Sequence, residues 1–203
     1  MPKREDEAGF SRRSFLKTVG ASGVAAGVLT QVSDANAQAA RAVGPGAVPV
    51  TLNVNGQALR LSIEPRVTLL DALRMHANPP QTGNKRGCVR GACGACTMLV
   101  DNRPVYACST LAIEVQGKRI RNVDGLASGD RLHPVQQAFC EKDALMCGFC
   151  TPGFIMATVA LLEKIPRPTE EQVRKGLDGN ICRCGTFVRI KEAAMTAKVV
   201  ARG

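Results

Sequence analysis

Apolar residues two apart at Val50, Leu52 and Val54, the turn pair Asn55-Gly56, and then Leu59, Leu61 and Ile63 predict a β-hairpin. Leu69, Leu70, Leu73 and Met75 predict a short helix that ends before Pro79-Pro80. A Gly- and Cys-rich loop runs from Gly83 to Cys96. Thr97 to Val100 and Val105 to Ala107 then flank the turn at Asp101-Asn102 as a second hairpin, and Ile120 to Val123 can add a last strand. Strands around one helix describe a small α+β domain over 48–126.

Beyond it the periodicity turns helical. Pro134 suits a first helical position and leads into Val135 to Lys142. Thr151-Pro152 opens a helix that is apolar nearly all round, through Phe154, Ile155, Met156, Val159, Leu161 and Leu162, and such a helix belongs at the centre of a bundle. Thr169 with Gln172 is a capping-box pattern for a third helix, after Pro166 and Pro168. Thr186 can cap a fourth, with Phe187, Ile190, Ala193, Ala194 and Ala197 on one face. A four-helix domain over 131–203 is expected.

The N-terminus reads as an address. Ser11-Arg12-Arg13-Ser14-Phe15-Leu16-Lys17 precedes an uncharged run, Thr18 to Ser33, too short and too Gly-rich to span a bilayer. Ala35-Asn36-Ala37 then offers a small-x-small cleavage site. The paired arginines resemble a bacterial twin-arginine export signal, which implies a periplasmic destination. Residues 1–37 are therefore set apart as a signal and 38–47 as a lead-in linker. The 203 residues hold 27 Lys+Arg against 17 Asp+Glu, a formal +10, and the leader accounts for little of that excess. With six Phe, one Tyr and no Trp, the chain lacks the stacking faces of a single-stranded nucleic-acid binder, so no nucleic-acid partner is expected. No transmembrane span is expected either.

Nine cysteines carry the chemistry. Cys88-x4-Cys93-x2-Cys96, with Cys108 as a fourth, has the spacing of a plant-type [2Fe–2S] ligand set, in which one tight loop turns three thiolates towards two irons. Gly87, Gly91 and Gly94 would let backbone N–H groups approach the sulfur atoms. Zinc is the competing metal, though its sites favour C-x2–4-C pairs. In the helical part, Cys147-x2-Cys150 and Cys182-x-Cys184 each precede a helix, whose N-terminal N–H groups favour thiolate charge. The two pairs could form a second four-sulfur cage for iron and sulfide, bind zinc, form disulfides, or act as a redox dithiol at 147–150. No βαβ pattern supports the dithiol. Cys140, left over on the second predicted helix, is expected to be a small buried apolar side chain.

These motifs together are familiar. Gly87-Cys88 through Cys96 with Cys108, then Cys147-Gly148-Phe149-Cys150-Thr151-Pro152-Gly153, then Gly179-Asn180-Ile181-Cys182-Arg183-Cys184-Gly185, resemble the small iron–sulfur subunit of the xanthine dehydrogenase/aldehyde oxidoreductase family of molybdenum hydroxylases. The resemblance implies an α+β protein: a β-grasp ferredoxin-like domain followed by a four-helix domain, each holding one [2Fe–2S] cluster. It also implies that Cys147, Cys150, Cys182 and Cys184 are ligands, and that the helical cluster lies beside a molybdopterin on a separate large subunit. Electrons would leave through the ferredoxin cluster to a flavin subunit or a cytochrome. No catalytic residue is expected on this chain, since the chemistry on the substrate belongs to the partner. Lys85, Arg86 and Arg90 could offset the first cluster's negative charge or form a docking face for an acidic acceptor. One departure stands out. The family commonly has Gln before Cys-Gly-Phe-Cys, contacting the pterin, and here that residue is Met146. Two other readings stay open: a free-standing two-cluster electron carrier, and a zinc- or disulfide-stabilised structural protein.

Overall fold

The first hairpin forms where the alternation places it. In the computed structural model, which describes residues 13, 15–17 and 44–197, β1 (Val48–Val54) pairs antiparallel with β2 (Gln57–Ile63). Asn55 and Gly56 both take positive φ, as the two-residue turn requires. Val50, Leu52, Val54, Leu61 and Ile63 are buried on one face. Apart from the four residues named, the leader expected over 1–37 lies outside the described residues.

The short helix is a single α-helical turn, α1 (Leu69–Asp71), that widens into a π-helical stretch over Ala72–His76. The Asp71 N–H donates to Thr68 Oγ1, closing the N-terminus. Leu69, Leu70 and Leu73 are fully buried against the sheet. The second hairpin is β3 (Thr97–Val100) and β4 (Arg103–Tyr106), and β5 (Arg119–Arg121) completes the sheet. β5 runs parallel to β1 and antiparallel to β3, giving the order β2-β1-β5-β3-β4. The last strand is shorter than expected, because Val123 begins a 3-10 turn over Val123–Gly125.

Four helices follow: α2 (Pro134–Glu141), α3 (Thr151–Lys164), α4 (Glu170–Leu177) and α5 (Phe187–Thr196). The Thr169/Gln172 capping box forms as expected, and His133 with Gln136 closes a second one at α2. Cys140 corrects the expectation made for it. It sits on the solvent side of α2 and is exposed, while Val135, Ala138 and Phe139 take the buried face.

The helices and the sheet are not independent. The described residues 44–197 pack as one unit, and β3 is the reason. All four of its residues are buried. Met98 and Val100 face the sheet's own core with Leu52 and Ile120, whereas Leu99 points the other way, into the helical core with Phe139, Phe154 and Met156. The all-apolar α3 therefore packs against β3 as well as against its neighbouring helices, which is why no polar stripe is needed on it. Arg121 reinforces the joint with two hydrogen bonds to the carboxylate of Glu163, at 2.8 and 2.5 Å.

Candidate iron–sulfur sites

The loop over 88–92 wraps its own sulfurs with backbone donors. The N–H groups of Arg90 and Ala92 reach Cys88 Sγ at 3.5 and 3.3 Å, Gly91 N–H reaches Cys108 Sγ at 3.3 Å, and Cys88 N–H reaches Cys93 Sγ at 3.4 Å. This concentration of donors favours thiolate charge. Hydrogen bonds from Arg90 and Ala92 bring the Cys88 thiol down to about 6. Cys96 behaves oppositely, with burial and the Cys108 thiol pushing it up to about 12.

The helical set shows the same division. Burial pushes Cys150 up to about 12, with Cys182 beside it adding to the shift. Cys182 is lowered to about 7: burial opposes its charge, but the hydroxyl and N–H of Thr186, the Cys150 thiol and the Cys184 N–H outweigh that. Thr186 thus does something other than what the sequence suggested. It stands at the N-cap of α5 but makes no side-chain cap, and its hydroxyl lies 3.5 Å from Cys182 Sγ. Cys184 hydrogen-bonds with Cys147: the backbone contact lowers its pKa, but the Cys147 thiol and the neighbouring sulfurs raise it on balance.

The structure therefore brings together both predicted sets. Cys88 neighbours Cys93, and Cys96 neighbours Cys108; Cys147 neighbours Cys184, and Cys150 neighbours Cys182. All nine cysteines are free. The two neighbouring pairs in each set suit two irons. In each set, one thiol is driven to about 12 by burial and sulfur neighbours, so the four cannot all ionise unless cationic metal balances them. The donor set and its charge balance fit a [2Fe–2S] cluster at each site.

Two models of known domains cover the same ground. A "2Fe-2S iron-sulfur cluster binding domain" matches residues 54–147 and a "[2Fe-2S] binding domain" matches 122–195. The chain is 40% identical, over 199 residues, to the aldehyde oxidoreductase iron-sulfur-binding subunit PaoA of Escherichia coli O157:H7, covering 91% of this chain and 86% of that one. This chain belongs to the iron–sulfur subunits of the xanthine dehydrogenase/aldehyde oxidoreductase family of molybdenum hydroxylases. Solved structures agree. Quinoline 2-oxidoreductase from Pseudomonas putida 86 superposes with a TM-score of 0.71 at 37% identity, over 74% of this chain and 91% of that one. The aldehyde oxidoreductase from Desulfovibrio desulfuricans gives 0.69 at 39% identity, over 73% of this chain but 17% of that one.

As an iron–sulfur subunit of this family, the chain transfers electrons. Two [2Fe–2S] clusters held at the two cysteine sets would each accept and release one electron. The first site lies under a partly basic surface. Arg86 pairs with Asp71 at 3.2 Å and Lys85 Nζ donates to the Thr82 carbonyl, while Arg90 has no ion-pair partner among the described residues. The second site opens outward at Cys147 and Cys184, both exposed.

Asn180 stood in the motif before Cys182 with no role attached, and the sequence did not mark Tyr106 or Thr97; together they join the two sites. Tyr106 OH donates to the Gly179 carbonyl at 2.7 Å, and Asn180 Nδ2 donates to Gly94 O at 2.9 Å and to Thr97 Oγ1 at 3.2 Å. Gly94, expected to admit donors to the first cluster, is needed here for a different close approach. A Cβ on it would lie 2.5 Å from both Asn180 Nδ2 and Gly179 O. One signal was available: the unbroken apolar run over 98–100 marks a strand covered on both faces.

Proposed function

We propose that this chain is the electron-transfer subunit of an exported molybdenum hydroxylase, and that its helical face docks on a large subunit carrying molybdopterin. Electrons enter this chain through the site at Cys147, Cys150, Cys182 and Cys184. They leave one at a time from the site at Cys88, Cys93, Cys96 and Cys108 to a flavin subunit or a cytochrome. Oxidation of an aldehyde or an N-heterocycle with water releases two electrons, and two one-electron sites in series can hold both briefly.

One observation carries the reading. Leu145, Met146, Phe149, Ile181, Phe187 and Val188 are large, apolar and exposed, and all lie within a few residues of the helical cysteines. An exposed apolar group of this kind around a redox site marks an interaction surface, and it disfavours a free-standing carrier. A cleft of about 390 Å³ lies in it, lined by Met146, Cys184 and Gly185 among others. The relation to the Desulfovibrio desulfuricans enzyme supports a large partner, since this chain matches only 17% of that longer oxidoreductase chain. Arg90, which has no ion-pair partner among the described residues, suits an acidic acceptor.

Met146 is the residue to test. A thioether is only a weak acceptor, where a Gln amide both donates and accepts. Met146→Asp puts a carboxylate on the docking face beside Cys184, and is expected to lower the molybdenum content of the co-purified complex. It should also shift the reduced EPR signal of the helical cluster, leaving iron content intact. If molybdenum content and that signal both stay at wild-type values, the helical face is not the docking face.

Export is tested separately. Changing Arg12 and Arg13 together to Lys is expected to strand this chain, and any subunit exported with it, in the cytoplasm, read by immunoblot of periplasmic and cytoplasmic fractions. Normal periplasmic yield of the double variant would remove the twin-arginine proposal.

A further inference from the structure

The two sites meet through backbone, with almost no side chain between them. Ile181 N–H donates to the Cys93 carbonyl at 2.9 Å, so the residue before Cys182 is hydrogen-bonded to a ligand residue of the other site. Gly153, three residues after Cys150, is so close to the first loop that a Cβ would run into Gly94 O. Backbone segments next to Cys93, Cys150 and Cys182 therefore touch at one point.

That point is held by one buried amide. Asn180 is 6% exposed and spends its Nδ2 on Gly94 O and Thr97 Oγ1. The Thr97 hydroxyl in turn donates to Gly94 O at 2.7 Å, and Thr97 N–H reaches the same carbonyl at 3.0 Å. Thr97 is itself fixed on β3, with Asn84 Nδ2 donating to its carbonyl at 2.8 Å. Tyr106 adds a second tie at the rim, through its bond to Gly179 O. Neither Asn180 nor Thr97 touches a sulfur in these contacts. Their bonds run from the β-sheet side to the helical side.

We infer that Asn180, through the Thr97 hydroxyl and the Gly94 carbonyl, is a positioning residue that sets the spacing of the two clusters and hence their electronic and magnetic coupling. Electron tunnelling falls exponentially with distance, and the dipolar interaction of two reduced clusters falls as the inverse cube. A small opening of this seam therefore moves both. Removing Asn180 leaves the buried Gly94 carbonyl with its local donors but without its side-chain tie across the seam, so that the Ile181–Cys93 backbone bond and the Tyr106 bond at the rim hold the loops less tightly. The inference rests on the two clusters alone, and is independent of the partner and the acceptor proposed above.

The test is EPR of the fully reduced holo protein, with whatever subunits accompany it. Asn180→Ala is expected to keep its full iron content and both cluster signals while the spin–spin splitting between them narrows. Full iron with wild-type splitting would overturn the inference. If Asn180→Ala loses a cluster, Thr97→Val decides, since it keeps shape and removes only the shared hydroxyl. Narrowed splitting in Thr97→Val, restored in Thr97→Ser, supports the clamp; wild-type splitting in Thr97→Val refutes it.

Discussion

Cys88→Ala and Cys147→Ala are each expected to purify with about half the iron of the wild-type protein, and each with a different EPR signal missing. Cys140→Ser should retain all of it. Cys88 belongs to a set closed by the loop over 88–96 and Cys108, and Cys147 to a set closed between the starts of α3 and α5. Each set would supply four thiolates without borrowing from the other, so losing one is expected to empty one site. Backbone N–H groups lower the Cys88 thiol in the first set, and Thr186, through its hydroxyl and its N–H, lowers Cys182 in the second. Cys140 lies exposed on α2 and outside both sets. Iron per chain, together with reduced EPR, checks all three. Loss of iron from Cys140→Ser would show that the ligand assignment is wrong.

Gly153→Ala is expected to be strongly destabilising. The added Cβ would collide with Gly94 O and lie 3.1 Å from Ala95 Cα and 3.0 Å from Asn180 Nδ2. Two of these three are backbone, and neither side can yield easily. α3 is fixed by the buried Phe154, Met156 and Val159, and the loop opposite by its cysteines. Overpacking of this kind costs about 1–3 kcal/mol or more. At roughly 2–4 °C per kcal/mol for a chain of this size, the melting temperature should fall by several degrees. Gly176→Ala is the matched control. Its Cβ would meet the flexible ends of the Leu161 side chain at 3.0 Å, and Ala in a helix gains about 1 kcal/mol over Gly. Thermal melts of the two variants should therefore differ clearly in one direction. Equal melting temperatures would mean that the seam at Gly153 is looser than its contacts indicate.

Much of the candidate site was legible because its determinants are local. Three ligands of the first cluster lie within nine consecutive residues, and each helical pair is separated by one or two positions, so spacing alone constrains which metal they suit. The first hairpin was legible for a related reason: alternation and an Asn-Gly turn act over a few residues. Capping residues were legible at Thr169, where an exposed helix start has no competing partner. At Thr186 the same reasoning failed, because the hydroxyl found Cys182 Sγ instead. Cys140 failed likewise. Small apolar character says nothing about which side of α2 meets the core, and Val135 and Phe139 settled that.

The sequence by itself determined the two candidate cysteine sets, the two local architectures and the family, since each depends on residues close in the chain or on motifs that can be read in order. The tertiary structure alone decided how the two halves join. Leu99 faces away from its own sheet into the helical core, and Asn180 reaches Gly94 across 86 residues of chain. Period-2 alternation shows that a strand has two faces, but which surface covers the second depends on long-range packing. The same holds for a buried amide, whose partner is whichever polar group the fold leaves unpaired within reach.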